Sequence, residues 1–277
     1  MKSILALSVI LAAALAFPAD EVPFGLEPRI TGGVEAKPNQ FPYQVGMQMM
    51  KIRDGREIYT WCGGSLIANN VVITAAHCLY QAEHAVVFLG AHNRRAMEEP
   101  GRILLNIEPS EMIIHEDYNP IMTENDIALI LLPVKVPLTR TIQTIRLPAF
   151  SERNEKHLNT MAIISGWGRT GDGPGGAASD TLRYVHRSIM SNEFCSYFFP
   201  MFRSTQICVD GSRMQSACAG DSGGPLVVES ADGEKTLIGL TSYGRAEGCQ
   251  KSFPVSYTRV ASYLTWIAAN TGIKINY

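Results

Sequence analysis

Gly220-Asp221-Ser222-Gly223-Gly224-Pro225 sets one serine inside a tight, glycine-rich turn. Glycines on both sides of a serine give the backbone conformations closed to other residues. Such a turn can push the hydroxyl outward while the amides of Gly220 and Ser222 converge on one point, which is the arrangement an acyl-transfer oxyanion needs. The competing reading of the hexapeptide alone is an ordinary glycine turn. The choice depends on a histidine, a carboxylate and a scaffold found elsewhere in the chain.

The chain has 277 residues, enough to bury a sizeable core as one large domain or two small ones. Its formal net charge is −2 and charged residues make up 18 %, which leaves no electrostatic footprint for nucleic acid. Lys2 precedes an apolar run from Ile4 to Leu15, and Ala14-Leu15-Ala16 supplies a small-x-small cleavage pattern. The run is too short for a membrane anchor, and no later segment could span a bilayer. Residues 1–16 read as a signal peptide and the protein as secreted and extracellular. Secretion favours oxidised cysteines. The six fall into sequence-local couples, Cys62 with Cys78, Cys195 with Cys208 and Cys218 with Cys249. That is one of fifteen connectivities; zinc is a weaker alternative, because no C-x-x-C pair exists. No N-x-Ser/Thr sequon occurs.

Phe17 to Arg29 holds three prolines and ends Glu27-Pro28-Arg29-Ile30-Thr31-Gly32-Gly33. A lone arginine is ordinarily a solvated side chain; here the flanking sequence also reads as an exposed processing site. Beyond it, short β-branched and apolar runs recur: Val71-Val72-Ile73, Ala85 to Leu89, Ile127 to Leu132, Ala162 to Ile164, Leu226 to Val228 and Leu237 to Leu240. Gly, Pro and Asn clusters separate them at barrel or sandwich spacing. One helix is expected at the C-terminus, where Tyr263, Trp266 and Ile267 precede Gly272. Pro133 to Pro148 reads as a connector between two β-halves, and Gly171 to Gly176 as a glycine-rich loop.

A hydrolytic serine needs a base for its proton and a carboxylate to hold that base in the right tautomer. Of six histidines, only His77 has a distinctive setting, Thr74-Ala75-Ala76-His77-Cys78. The plain alternative is a structural, buried histidine. Asp126, in Asn125-Asp126-Ile127-Ala128-Leu129-Ile130, opens an apolar strand, where an ionised carboxylate must be paired or hydrogen-bonded; a turn aspartate is its alternative. Together with Ile30-Thr31-Gly32-Gly33 and the Ser222 turn, these motifs resemble the four landmarks of the chymotrypsin-type, trypsin-fold serine peptidases. They stand in that family's order, and the resemblance covers the chain from Ile30 onward.

The resemblance implies an all-β fold of two antiparallel six-stranded β-barrels packed together, with a C-terminal α-helix. Residues 30–140 would form the first barrel and 141–277 the second, with the local cysteine couples as disulfides. It also implies catalytic roles. Ser222 would attack the scissile carbonyl, His77 would take and return its proton, and Asp126 would orient the imidazole. The amides of Gly220 and Ser222 would form the oxyanion hole. Asp221 would pair with the new amine of Ile30 after cleavage at Arg29, making residues 17–29 an activation propeptide removed by a trypsin-like protease. A short propeptide without an accessory domain points toward digestion.

The implied specificity pocket departs from familiar members. Ser216 stands at its base, so an Arg or Lys side chain finds no counter-charge there and tryptic specificity is disfavoured. Ser242-Tyr243-Gly244 matches the substrate-pairing strand, with Gly244 leaving the mouth open. Val255 replaces a wall glycine and makes the pocket shallower, favouring Leu- or Met-sized and smaller residues alongside Phe and Tyr before the scissile bond. The Arg245 to Gly248 loop is slightly long. After Leu89-Gly90 the chain reads Ala91-His92-Asn93, without the first carboxylate of the family's calcium loop, and Glu98 and Glu99 read as solvated. No metal or other cofactor is expected. The expected partners are peptide and protein substrates, the activating protease and protein protease inhibitors, with no nucleic acid or membrane, and the expected state is a monomer. The alternative from another class is a catalytically inactive homologue acting as a binding or regulatory protein; the intact Ser-His-Asp set speaks against it.

Overall fold

The structure, a computed structural model, describes residues 30–173, 176–230 and 233–277. The leader, the expected propeptide and Arg29 lie outside the described residues. Seven strands build the first sheet: β2 (Gln44–Arg53), β3 (Arg56–Ala68), β4 (Val71–Thr74), β5 (Ala82–Leu89), β6 (Ile103–Ile107), β7 (Met112–Ile114) and β8 (Ala128–Leu131). The second contains β1 (Val34–Glu35), β9 (Met161–Gly166), β10 (Arg183–Met190), β11 (Gln206–Val209), β12 (Pro225–Glu229), β13 (Lys235–Tyr243) and β14 (Val255–Arg259). Three α-helices are described, α1 (Ala76–Leu79), α2 (Asn192–Phe198) and α3 (Leu264–Thr271), besides four short 3₁₀ turns.

All pairings between these strands are antiparallel. The first sheet runs β6-β5-β2-β3-β4-β8-β7. In the second, β9 pairs with both β12 and β10, which closes β10-β11-β14-β13-β12-β9 into a six-stranded barrel with β1 added on β10. The first half counts seven strands rather than six because Met112–Ile114 forms a short strand of its own on β8. Residues 30–35 do not pair within the half that follows them in the chain. Thr31 bridges Ser216, and Val34 pairs with Tyr184, both in the second half.

The apolar runs are continuous rather than alternating because both faces of these strands are covered. Successive side chains of a strand point to opposite faces. Thus Val72 and Ile130 enter the first core with Val45, Met47 and Val87, while Ile73 and Leu129 point into a second cluster. From the other half, Ala162, Ile164 and Leu226 fill the second barrel's core, and Ile163 and Val227 point into the shared cluster. That cluster also holds Trp167, Leu264 and Ile267, so the two halves and α3 meet along one apolar seam.

The expected C-terminal helix is α3, stopped by Gly272 in a left-handed conformation whose N–H reaches the Ala268 carbonyl. Helix α2 has no counterpart in the sequence reading. Its seven residues are too few to show a period, and its only local signal is the Ser191 cap, whose Oγ accepts the Phe194 N–H at 3.1 Å.

Candidate active site

His77 is placed by the end of β4. The strand stops at Thr74, extended Ala75 caps the one-turn α1, and the disulfide from Cys78 to Cys62 staples that turn to β3. Asp126 precedes β8 and lies on the seam, 1 % exposed. One of its oxygens accepts the His77 backbone N–H at 2.9 Å; the other takes the imidazole Nδ1 at 2.9 Å and the Ser242 hydroxyl at 2.5 Å. Its carbonyl accepts the Thr258 hydroxyl at 2.7 Å. A carboxylate carried by the first half is therefore fastened by β13 and β14 of the second. Burial pushes the Asp126 carboxyl up, but the facing imidazole and the three donated hydrogen bonds more than offset it, holding the group below the usual carboxylate range. The sequence assigns Ser242 to substrate pairing alone; its hold on Asp126 is added by the fold.

Ser222 sits where β3 meets the second barrel, its carbonyl accepting the Gly63 N–H at 2.8 Å. Its Oγ makes no hydrogen bond within the described residues, and His77 Nε2 has Cys78 Sγ at 3.8 Å; such contacts commonly tighten only when substrate binds. Gly223 must be glycine: its φ is +72°, and a Cβ there would overlap Thr74 Oγ1. The amides of this turn divide into two groups. Asp221 N–H bonds the Cys218 carbonyl at 2.9 Å, Gly223 that of Thr241 at 2.7 Å and Gly224 that of Asp221 at 2.9 Å. The Gly220 and Ser222 N–H groups have no acceptor among the described residues, which leaves two adjacent donors beside one hydroxyl.

Asp221 points the other way, fully buried. Its carboxylate accepts the Gly168 N–H at 2.7 Å and the Cys218 N–H at 2.9 Å. Burial drives its pKa up to about 6 against the opposing effect of these two donors. Ile30 is also fully buried, in the second barrel's core with Ile164 and Ala217. Thr31 holds it there by two bonds to Ser216, its hydroxyl to the Ser216 carbonyl at 3.0 Å and its carbonyl to the Ser216 N–H at 3.2 Å.

A pocket of about 370 Å³ opens beside Ser222, lined among others by Ser216, Tyr243, Gly244, Phe253 and Val255. The Ser216 hydroxyl is turned onto the carbonyls of Ala217 and Cys249, at 3.1 and 2.9 Å. Val255 Cγ2 would lie 3.9 Å from a Cβ on Gly244, so the valine narrows the pocket opposite its glycine wall. Asp172 also lines this pocket and was not singled out from sequence; its carboxylate accepts the N–H groups of Cys249 and Gln250 at 2.9 and 3.0 Å. A neighbouring hollow of about 530 Å³ lies between Ile121, Phe199, Met201 and the Tyr243-Gly244 strand. The three cysteine couples are bonded as disulfides. Glu99 is not solvated as expected: its carboxylate accepts the N–H groups of His92 and Asn93, the latter at 2.7 Å, and ion-pairs Arg102 at 3.6 Å.

The trypsin family model matches residues 30–267. The chain is 39 % identical to the collagenase of Hypoderma lineatum over 99 % of both chains. It is 39 % identical to brachyurin of Leptuca pugilator over 88 % of this chain and 99 % of that one, and 35 % identical to chymotrypsin-C of Rattus norvegicus over 96 % and 98 %. A solved structure, titled HL collagenase, superposes with a TM-score of 0.77 at 39 % identity, covering 88 % of this chain and 99 % of the other. The chain belongs to the trypsin family and is a chymotrypsin-like serine endopeptidase.

Proposed function

We propose that the protein is a secreted digestive endopeptidase, made as a zymogen, that cleaves after apolar residues through an acyl-enzyme on Ser222. His77 takes the Ser222 proton and returns it to the leaving amine, while Asp126 fixes the imidazole tautomer and balances the imidazolium. The tetrahedral oxygen is held by the Gly220 and Ser222 amides. The observation that carries this reading is the division of the turn's amides: those at 221, 223 and 224 are engaged internally, and those at 220 and 222 are left for an oxyanion. An inactive homologue would have no use for that division.

The residue before the scissile bond enters the pocket narrowed by Val255. The test is a panel of peptide amides differing only at that residue, given to the trypsin-treated full chain. Leu and Met are expected to match or exceed Phe and Tyr, with Arg and Lys poor. Val255→Gly should raise kcat/KM for Phe relative to Leu by about ten-fold, the scale of relieving an overpacked aromatic. An unchanged ratio would show that Val255 does not set pocket depth. Native collagen belongs in the same panel, since one full-length relative is named a collagenase.

Activation follows from cleavage after Arg29, which gives Ile30 a free amine able to neutralise Asp221. With its folded pKa at about 6, above the ordinary value of 3.8, Asp221 in the uncleaved chain favours the protonated form. Its ionisation therefore costs stability progressively as pH rises from about 4 to 6. In the cleaved chain the amine, ordinarily titrating near ~8, is raised by its carboxylate partner, so the pair's stabilisation is present at neutral pH and lost as pH climbs through that raised value. The excess of cleaved over uncleaved Tm should accordingly widen from pH 4 to neutrality and shrink again above pH ~9. Scanning calorimetry of Ser222→Ala and of Arg29→Gln/Ser222→Ala, both trypsin-treated, measures it. A difference flat in pH would sink the switch.

A further inference from the structure

The β2–β3 hairpin runs out past the barrel and turns at Asp54-Gly55. Both turn residues have positive φ, +49° and +71°, the two-residue turn that matches strand twist. In its register Lys51 faces Ile58 and Arg53 faces Arg56, so Lys51, Arg53 and Arg56 share one face. Two like charges directly opposite one another destabilise a strand pair. Here Arg53 and Arg56 are exposed, and neither meets a carboxylate within ion-pair distance among the described residues. The near carboxylate Glu57 lies on the other face, opposite Ile52, and accepts the Tyr59 hydroxyl at 2.8 Å. From β5, Lys51 has Ala82 opposite it, with Glu83 and His84 next along that strand.

The base of this cationic face is fastened to the site. Lys51 Nζ donates to the His77 carbonyl at 3.1 Å. Burial first, and the charge of Arg53 second, hold that ammonium below its ordinary value, so Arg53 and Lys51 sense each other. None of residues 44–68 lines the pocket beside Ser222, whereas Gly63 of β3 touches Ser222 directly. The pocket and β3 therefore meet Ser222 from different sides.

We infer that the β2–β3 hairpin, oriented by Lys51 on α1, binds acidic side chains in the substrate segment after the scissile bond through Arg53 and Arg56. A carboxylate between the two arginines removes their repulsion as well as adding its own pairing. The inference rests on Ser222 being the nucleophile and on a chain anchored in the pocket leaving the site along β3, toward the hairpin.

The test uses the trypsin-activated full chain with two peptides sharing one acyl half and carrying either Glu or Lys at the fifth and sixth positions beyond the scissile bond, because at about 3.3 Å per residue Arg53 and Arg56 lie about 23 Å along the hairpin from Gly63. A short amide ending at that bond reads the integrity of the site. The expected Glu-to-Lys ratio of kcat/KM is about ten at low ionic strength, the sum of two exposed ion pairs, and should shrink to about two near 0.5 M salt by screening. Arg53→Gln/Arg56→Gln should bring the low-salt ratio below about three on the same per-pair scale. A wild-type ratio near one, or a ratio that the double variant leaves intact, would overturn the inference. A ratio near one together with loss of heparin retention in the double variant would give this face to a sulfated polysaccharide instead. No turnover of the short amide would overturn the Ser222 assignment, and this inference with it.

Discussion

Ser222→Ala is expected to lower kcat on peptide amides by about 10⁵–10⁶ while leaving the fold intact, the scale seen when one member of a cooperating nucleophile–base pair is removed. The substitution deletes only Oγ. The carbonyl that accepts the Gly63 N–H at 2.8 Å and the free Ser222 amide both belong to the backbone and remain. Removing His77 as well should therefore cost almost nothing more, because the base has no proton left to take. A residual rate of roughly 10³ over water should survive in both variants from the two amides and the pocket. Steady-state and single-turnover assays of the activated single and double variants measure this. A loss under about 100-fold, or losses that multiply, would show that Ser222 and His77 do not act as one unit.

What could be read from the sequence follows the range of the interactions. The Ser222 turn, the Thr74 to Cys78 motif and the apolar runs that became β4, β5, β8, β9, β12 and β13 carry their signals within a few residues. The α3 stop at Gly272 does too. What stayed hidden joins residues far apart: Ser242 to Asp126 across 116 positions, Thr258 to the Asp126 carbonyl across 132, and Lys51 to His77 across 26. No local pattern announces such bonds, since each hydroxyl or ammonium is unremarkable among its neighbours. The outer β2–β3 hairpin is a different case. Its turn pair, Asp54-Gly55, is a strong local signal, but the flanking residues Lys51 to Tyr59 are polar or exposed and lack the alternation by which half-buried strands are recognised. Glu99 reads as solvated in the sequence because it is a carboxylate beside another in a charged loop. Only folding turns the His92 and Asn93 amides onto it.

Asp126→Asn carries the second large expected effect, a fall in kcat/KM of about 10⁴ at neutral pH with little change in Tm. Its cause is a tautomer rather than a lost contact. As built, Asp126 accepts at both oxygens: from the His77 N–H at 2.9 Å, from Nδ1 at 2.9 Å and from the Ser242 hydroxyl at 2.5 Å. Nδ1 must therefore carry the proton, which leaves Nε2 with a lone pair for Ser222. An asparagine has one acceptor oxygen and a donating NH₂. If the oxygen stays with the His77 backbone N–H, the NH₂ faces Nδ1 and makes that nitrogen the acceptor. The ring proton then moves to Nε2, where it opposes Ser222 instead of receiving its proton. The second NH₂ hydrogen can be donated to the Ser242 Oγ, since a serine hydroxyl accepts as well as donates, so the fold loses little. Assays of the activated variant from pH 6 to 10, beside its melting curve, measure both effects. Loss of activity in step with loss of fold would make Asp126 a structural carboxylate, and near-normal rates would remove it from the chemistry.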